Sequence, residues 1–135
     1  VALNGEDHYS AAGQMDYLKR YGNEMPGIVV AINIDDVGFK QGKSSYSFYG
    51  CRPGFEEKVE DVFRKYEGLD RGEQWFNGDH MIFVQNQGPA IAITSELMHE
   101  LMKTVTHTSA DTSDLIDCHK LVEIAMALND AIRIL

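Results

Sequence analysis

The chain has 135 residues, of which 44% are hydrophobic, and carries a formal net charge of −9. A chain of this length forms one domain at most and can bury about two-thirds of its unfolded surface. The acidic balance, without any cluster of Lys and Arg, argues against a nucleic-acid-binding surface. No apolar run approaches the roughly 18 residues that a membrane-spanning helix needs, so no membrane segment is predicted. Cys51 and Cys118 form no Cys-x-x-Cys motif, which argues against a zinc knuckle or a disulfide framework.

The first predicted elements are a strand end and a helix. Val1–Leu3 has the character of a strand but is shorter than the usual length of about five or six residues. We therefore expect the chain to open in mid-strand, as the C-terminal part of a longer domain would. A helix is predicted over Ser10–Tyr21 because Met15 and Leu18 have the spacing of one helical face. Gly22-Asn23 is expected to end it.

The next element is an apolar, β-branched run from Ile28 to Ile34, which Pro26-Gly27 introduces. A short run of this kind predicts a strand buried on both faces, as in the middle of an α/β sheet. It ends on Asp35 and Asp36, and in open α/β sheets ligands bind outside the carboxyl ends of the strands. The two carboxylates are therefore either metal ligands or bases, or buried acids that need a partner.

The rest of the chain alternates predicted strands, helices and loops. In order, these are a half-exposed strand at Ser45–Tyr49, an amphipathic helix at Pro53–Tyr66, a loop at Gly68–Asp79, a short helical turn at Met81–Gln85, a second buried strand at Ala90–Thr94, a helix or loop at Leu97–Val105, and a last helix at about Asp117–Ile134 capped by Thr112–Asp114. This alternation predicts an α/β fold.

Three short motifs contain side chains suited to metal or acid–base chemistry. Glu6-Asp7 follows the first strand and can supply a ligand and a base, or can be acids that favour a helix N-terminus. His107 precedes Asp111, which either orients the imidazole or belongs to the turn before the last helix. A single loop histidine is commonly a plain surface residue. Asp79-His80 lies in a Gly-rich loop and is suggestive but unspecific.

The order of these motifs resembles that of the di-zinc aminopeptidase family, which includes bacterial leucyl aminopeptidases and glutamate carboxypeptidases. Asn4–Lys19 is similar to the family's Gly-Glu-Glu followed by Gly-Ser-x-x-Tyr. Ile32–Gly38 resembles Leu-Asn-Leu-Asp-Met-Val-Gly, and Gly78–Phe83 resembles Ser-Asp-His-x-x-Phe. His107–Thr112, followed by Leu121-Val122, is similar to His-Thr-x-x-Asp-Thr and the final helix. The likeness covers essentially the whole chain.

The resemblance implies a fold and a set of site residues. The fold is an α/β domain with a mixed, mainly parallel sheet flanked by helices, of which residues 1–135 form the C-terminal part and the N-terminal part is missing. Glu6 matches the general base that activates a zinc-bound water. Asp7 and His107 match ligands of one zinc ion, and Asp35 matches a ligand of the second. Four residues would lie near the ligands without binding metal: Asp36, Asp79, His80 and Asp111.

Three departures from the family pattern affect this expectation. The family usually has Glu where Asp7 stands, and Asp36 replaces an apolar residue, adding an acid that raises the pKa of a neighbouring carboxylate. The family's remaining ligands, a His and a bridging Asp, lie upstream of its Glu-Glu pair. No His-x-Asp sequence occurs in the 135 residues to replace them. The complete family domain holds two zinc ions, and one or none is expected in this chain.

The predicted function is that of a zinc exopeptidase of the aminopeptidase type acting on peptide substrates, with this chain an inactive portion of it. The alternative is a non-catalytic, peptidase-like module for binding or dimerisation. Because a domain that lacks its first strands leaves a sheet edge uncovered, we also expect a homo-oligomer formed through that edge.

Overall fold

A four-stranded sheet organises residues 11–134, the part of the chain that the computed structural model describes. The strands are β1 (Ala31–Ile34), β2 (Ser44–Tyr49), β3 (Leu69–Arg71) and β4 (Ala90–Ser95). The α-helices are α1 (Ala12–Tyr21), α2 (Pro53–Phe63), α3 (Met81–Gln85), α4 (Met98–Thr104) and α5 (Cys118–Ile132), and 3₁₀ helices occupy Gly22–Gly27 and Ser113–Leu115. The predicted strand at Val1–Leu3 lies outside the described residues.

The strand order across the sheet is β1-β4-β2-β3. β1 runs parallel to β4 and β2 runs parallel to β3, whereas β2 and β4 are antiparallel. The sheet is therefore mixed and mainly parallel, with helices flanking it, and the predicted α/β fold is confirmed. The carboxyl ends of β1 and β4 meet at the same edge of the sheet, which is the edge where ligands bind in such folds.

Two hydrophobic clusters cover the two faces of the sheet. On one face, side chains of the sheet pack against α2 and α5; its most buried members include Phe63, Val59, Ile93 and Ala127. On the other face, Tyr49, Ala90, Ala92, Trp75 and Met98 form the second cluster. Full burial of one large apolar side chain contributes about 1.5–3 kcal/mol. The two clusters hold the sheet between helical layers.

The strand positions differ from the sequence expectation in two places. β1 covers residues 31–34 instead of 28–34, and it lies at the edge of the sheet formed by residues 11–134. Val29 and Ile34 are 69% and 50% exposed, so the prediction of a strand buried on both faces is wrong. β2 is buried at all six positions and was wrongly predicted to be half-exposed. Apolarity describes side chains, whereas burial depends on which strands lie on either side, and β2 has a neighbour on each.

The observed helices agree better with the predicted ones, because the apolar spacing that predicts a helix is a local property of the sequence. α3 has its predicted range, α1 and α2 differ from theirs by two and three residues at one end, and the uncertain stretch 97–105 contains α4. β3 was missed inside the predicted loop, since Leu-Asp-Arg has two charged residues in three. The cap of α5 is Asp117, and Thr112–Asp114 instead leads into the separate 3₁₀ turn. No helix in residues 11–134 is long and apolar enough to cross a bilayer.

The apolar spacing of the last helix predicts a buried stripe at Leu121, Ile124, Ala125, Leu128, Ala131, Ile132 and Leu135. The buried stripe of α5 is rotated from this one. Ile124, Leu128 and Ala131 are buried as expected, but Ala127 completes the stripe. Leu121 and Ile132 were expected in the core and are 38% and 57% exposed. The contact with α2 decides which face of α5 is covered, and that contact is not encoded in the α5 sequence alone.

Candidate active site

The segment that follows β1 leaves the sheet through a tight turn. The Asp35 N–H donates to Ile93 O at 3.0 Å, so the backbone of Asp35 still pairs with β4. Asp35 as a whole is exposed to solvent. Asp36 has a left-handed backbone conformation with φ of 51°, which Asp tolerates better than most residues. Gly38 has φ of 82°, and a Cβ there would lie 2.6 Å from the Leu121 side chain. Glycine at this position therefore lets the turn pack against α5.

The segment that follows α4 is closed by hydrogen bonds of Thr108. The Thr108 hydroxyl donates to Val105 O at 2.6 Å and accepts from the Ala110 N–H at 3.1 Å. His107 sits inside this turn with φ of 63° and is exposed. A threonine directly after the histidine therefore shapes the loop that presents the imidazole.

These two segments contact each other. The Thr106 hydroxyl donates to Asp36 Oδ1 at 3.5 Å. Burial and then the charge of Asp111 raise the pKa of Asp36, while the Thr106 hydrogen bond and the charge of His107 lower it. A small cavity of about 50 Å³ lies between the segments, and Asp36, Thr106, Asp111 and Ile116 are among its lining residues. The structure thus brings Asp36 into electrostatic contact with both Asp111 and His107.

Asp79 and His80 lie elsewhere, against the middle of β1. His80 is 1% exposed, and its Nε2–H donates to Trp75 O at 3.0 Å while Nδ1 accepts from the Asn33 amide at 3.4 Å. These partners assign the neutral tautomer with the proton on Nε2. Burial lowers the pKa of His80 against the opposing effects of the Trp75 carbonyl and Asp79. Asp79 Oδ1 accepts from Gln14 Nε2 at 2.6 Å, which ties α1 to this loop.

A larger cavity of about 340 Å³ opens beside β1. Its walls combine apolar side chains with a few polar groups, among them Tyr17, Phe83, Asn33, Asp79 and His80. Such a mixture is typical of small-molecule sites. The prediction that Asp79 and His80 lie near metal ligands stays a prediction, since their observed partners are Gln14, Asn33 and Trp75.

The predicted ligands carry the donor groups that zinc usually binds, since carboxylates and imidazoles are common zinc ligands together with thiolates. Glu6 and Asp7 lie outside the described residues. In residues 11–134, no group of three His, Cys, Asp or Glu side chains is arranged to hold a metal ion. The described part of the chain therefore contains two of the predicted metal ligands, Asp35 and His107, but not a complete ligand set.

Sequence reasoning missed Thr106, Gln14 and Asn33, although each contacts a predicted site residue. Asn33 and Thr106 each stand within two residues of a predicted ligand, so the motifs themselves contained that signal. The contact of Gln14 with Asp79 spans 65 positions and had no local signal.

The family model described as Peptidase family M28 matches residues 1–132, nearly the whole chain. The chain belongs to peptidase family M28. Members of family M28 are zinc-dependent peptidases, so the predicted resemblance to the zinc aminopeptidase and carboxypeptidase-like family is confirmed. No curated protein sequence and no solved structure gives a match.

Proposed function

We propose that this M28 chain is part of a zinc exopeptidase of the aminopeptidase type, which removes N-terminal residues from peptides. The observation that carries the proposal is the contact between the segment after β1 and the segment after α4, made by Asp36 and Thr106 over 70 positions. Asp35 and His107 are the immediate chain neighbours of these two residues. The contact therefore supports a shared site for a carboxylate and an imidazole at the ligand-binding edge of the sheet.

Each predicted site residue has a distinct role in this proposal. In the complete domain Asp7 and His107 would hold one zinc ion and Asp35 the second, and Glu6 would act as general base and take a proton from the attacking water. The chemistry that zinc would supply there is Lewis-acid polarisation of the scissile carbonyl and a lowered pKa, about 7, for a water molecule. The substrate in this proposal is a peptide, and the proposal involves neither a nucleic acid nor a membrane-spanning segment.

The remaining acids and His80 position the ligands. Asp36 holds the His107 loop through Thr106, and the charge of Asp111 acts on Asp36 from the same side. His80 accepts a hydrogen bond from Asn33, two residues before Asp35, and so fixes the end of β1. Outer partners of this kind orient metal ligands and tune the affinity of the site.

The 135 residues contain no His-x-Asp sequence to supply the family's other ligands. We expect the chain by itself to be inactive and to bind at most one zinc ion, weakly, shared by the three remaining donors Asp7, Asp35 and His107. Calorimetric titration of the metal-free protein with zinc tests this, and both Asp35→Asn and His107→Gln are expected to abolish binding. Asp114→Asn and His119→Gln, which alter exposed residues, are the matched controls. Zinc binding that survives the first two substitutions would rule out the assigned ligands.

An assay with aminoacyl nitroanilides tests the inactivity separately. No turnover is expected from the pure chain with added zinc. Turnover that a chelator abolishes would show that the chain is active by itself, while still supporting the peptidase chemistry.

The second candidate is a non-catalytic, peptidase-like module for binding or dimerisation. It is favoured by Asp7 in place of the family's Glu, and by the absence of a three-donor group in residues 11–134. A chain that self-associates but binds zinc no better than the Asp35→Asn variant would support this candidate over the enzyme.

A further inference from the structure

The loop between β3 and α3 contains an asparagine followed directly by a glycine, Asn77-Gly78. Asn77 is exposed to solvent. Within residues 11–134, neither the side-chain amide of Asn77 nor the backbone N–H of Gly78 has a hydrogen-bond partner. No hydrogen bond in this part of the chain therefore holds the amide group and the nitrogen that follows it apart.

These two groups can react with each other, because asparagine is a chemically labile residue. The backbone nitrogen of the next residue can attack the side-chain amide carbon and close a succinimide ring, and a side chain on that next residue hinders the approach. The loop requires glycine at position 78, since a Cβ there would lie 2.5 Å from the Trp75 ring and 2.9 Å from His80 Nδ1. Packing beneath the indole thus keeps the very residue that leaves Asn77 reactive.

The other asparagines of residues 11–134 lack this combination. Three of them donate a hydrogen bond from the side-chain amide: Asn33, Asn86 and Asn129. Asn23 is exposed, but it lies in the 3₁₀ helix Gly22–Gly27 and is followed by Glu24, whose side chain hinders ring closure. Among the described asparagines, Asn77 is therefore the one best placed to react.

We propose that Asn77 is a site of spontaneous deamidation, which modifies the loop that carries Asp79 and His80. The Gly78 nitrogen loses its proton and attacks Cγ of Asn77, so that an N–Cγ bond forms, the Cγ–Nδ2 bond breaks and ammonia leaves with that proton. Water then adds to either carbonyl carbon of the succinimide and opens it to aspartate or isoaspartate. Water is the only co-reactant, and the inference is independent of the peptidase proposal.

The isoaspartate product adds one carbon atom to the backbone of a loop that is held at both ends. Trp75 O accepts from the Tyr49 hydroxyl at 2.6 Å and from His80 Nε2 at 3.0 Å. Gly78 lies buried between these ends, against the rings of Trp75 and His80. Because close-packed groups transmit a change in volume to their neighbours, the longer backbone should displace one of the two rings. The aspartate product keeps the backbone length and adds only an exposed charge.

Peptide mapping by mass spectrometry tests the reaction on the full chain, incubated at body temperature and at neutral or mildly alkaline pH. The Asn77 peptide should gain the mass difference between an amide and an acid, faster at alkaline pH because the attacking nitrogen must lose its proton. The Asn23 peptide should stay unchanged over the same period. A second Asn-Gly pair, Asn4-Gly5, lies outside the described residues and is followed in its own peptide.

The matched control is Asn77→Gln, which should show no change in the peptide that contains position 77, because the longer side chain closes a ring much more slowly. An Asn77 peptide that stays intact in the folded protein but reacts in the urea-unfolded chain would overturn the proposal. Equal rates at Asn77 and Asn23 in the folded protein would overturn it as well.

The effect on the loop is tested on the modified protein, which ion exchange separates by its extra negative charge and isoaspartyl methyltransferase identifies. The isoaspartate fraction should unfold at a lower urea concentration and show a shifted indole N–H resonance of Trp75, the only tryptophan in the chain. Freshly purified Asn77→Asp carries the charge without the added carbon, and should match the unmodified protein in both measurements. An isoaspartate fraction that behaves as the unmodified protein does, or an Asn77→Asp variant that is destabilised equally, would refute the displacement.

Discussion

At the scale of single residues, two of the four non-glycine residues with left-handed backbone conformations in residues 11–134 lie in the segments that the motifs mark, and the other two are Ala11 and Gln87. Asp36 and His107 both have left-handed backbone conformations, with φ of 51° and 63°. Non-glycine residues in this region cost free energy and cluster at functional sites, where the surrounding structure holds them in place. Here the surrounding structure includes the Thr106–Asp36 hydrogen bond and the Thr108 turn. Asp36 and His107 thus place two of the strained positions in the proposed ligand loops.

The conformation of Gly38 leads to a prediction about stability. Gly38→Ala introduces a Cβ at φ of 82° and against the Leu121 side chain. We expect the free energy of unfolding to fall by about 1–3 kcal/mol, because both strain and overlap oppose the change. The matched control is Gly54→Ala in α2, where nothing lies within 4 Å of the new Cβ. Urea denaturation should show the control to be stabilised by about 0.5–1 kcal/mol, and equal effects at the two glycines would contradict the structure.

The buried imidazole of His80 leads to a prediction about pH. Burial lowers its pKa from the ordinary value of 6.5. Below that pH the unfolded chain binds a proton that the folded protein does not bind, so the free energy of unfolding decreases as the pH falls from 6.5 towards the lower folded-state pKa. The His80→Gln variant should lack this part of the pH dependence in denaturation experiments. His119→Gln, an exposed histidine, should retain it, and identical pH profiles for the unmodified protein and His80→Gln would disprove the assignment.

At the scale of elements, α5 links the core to the site. Its buried stripe packs against α2, and its first turn contacts the connection between β1 and β2. There the Lys120 Nζ group donates to the carbonyl oxygens of Phe39, Lys40 and Gly42, at 2.6, 3.0 and 2.6 Å. The position of the turn after Asp36 therefore depends on how α5 begins.

The start of α5 is set by Asp117, whose Oδ1 accepts from the His119 N–H at 2.9 Å. Asp117→Ala removes this cap and should lower the free energy of unfolding by about 1 kcal/mol. Asp114→Ala tests the alternative cap that the sequence suggested, and should have little effect because Asp114 is exposed in the separate 3₁₀ turn. Thermal or urea unfolding of the two variants distinguishes them. A larger loss from Asp114→Ala would restore the cap at Thr112–Asp114.

At the scale of the whole molecule, the two edges of the described sheet differ. The β3 edge is charged, with Asp70 bonded to Lys43 and Arg71 bonded to Glu56 and Glu60. Charges of this kind protect an edge strand from pairing with another chain. At the β1 edge two apolar residues are exposed, Ile34 in the strand and Val29 before it, and the charged residue there is Asp35, directly after the strand. The β1 edge is therefore the better candidate for association.

We predict a dimer formed through β1 edges, with a mass twice the 15.1 kDa of the chain in light scattering at micromolar concentration. Ile34→Lys should yield the monomer, because a charge on an edge strand opposes strand addition. Val122→Lys is the matched control, since Val122 is 58% exposed and belongs to α5 instead of the sheet. A monomeric unmodified protein would contradict the prediction. A dimer broken only by Val122→Lys would move the interface to α5.

Sequence alone determined the features that depend on neighbouring residues. The apolar spacing of α2 predicted its start at Pro53, and the β-branched run before Asp35 predicted a strand that ends on carboxylates. Family membership also follows from sequence, because motifs such as Ile32–Gly38 and their order along the chain can be recognised without knowing which residues are in contact. Helical and strand periodicities are local properties of the chain. They are readable in sequence for that reason.

Only the tertiary structure decided the features that depend on distant residues. The central position of β2 and the edge position of β1 follow from strand order, which brings together segments as far apart as Ile32 and Ile91. The burial of His80 depends on the rings of Trp75 and Tyr49, which pack against it edge-on and tilted, and no local pattern distinguishes this histidine from an exposed one. The contact between Asp36 and Thr106 spans 70 positions. Such contacts form because apolar surface is buried across the whole sheet, and the sum of these distant interactions, rather than any local motif, places the side chains of the candidate site.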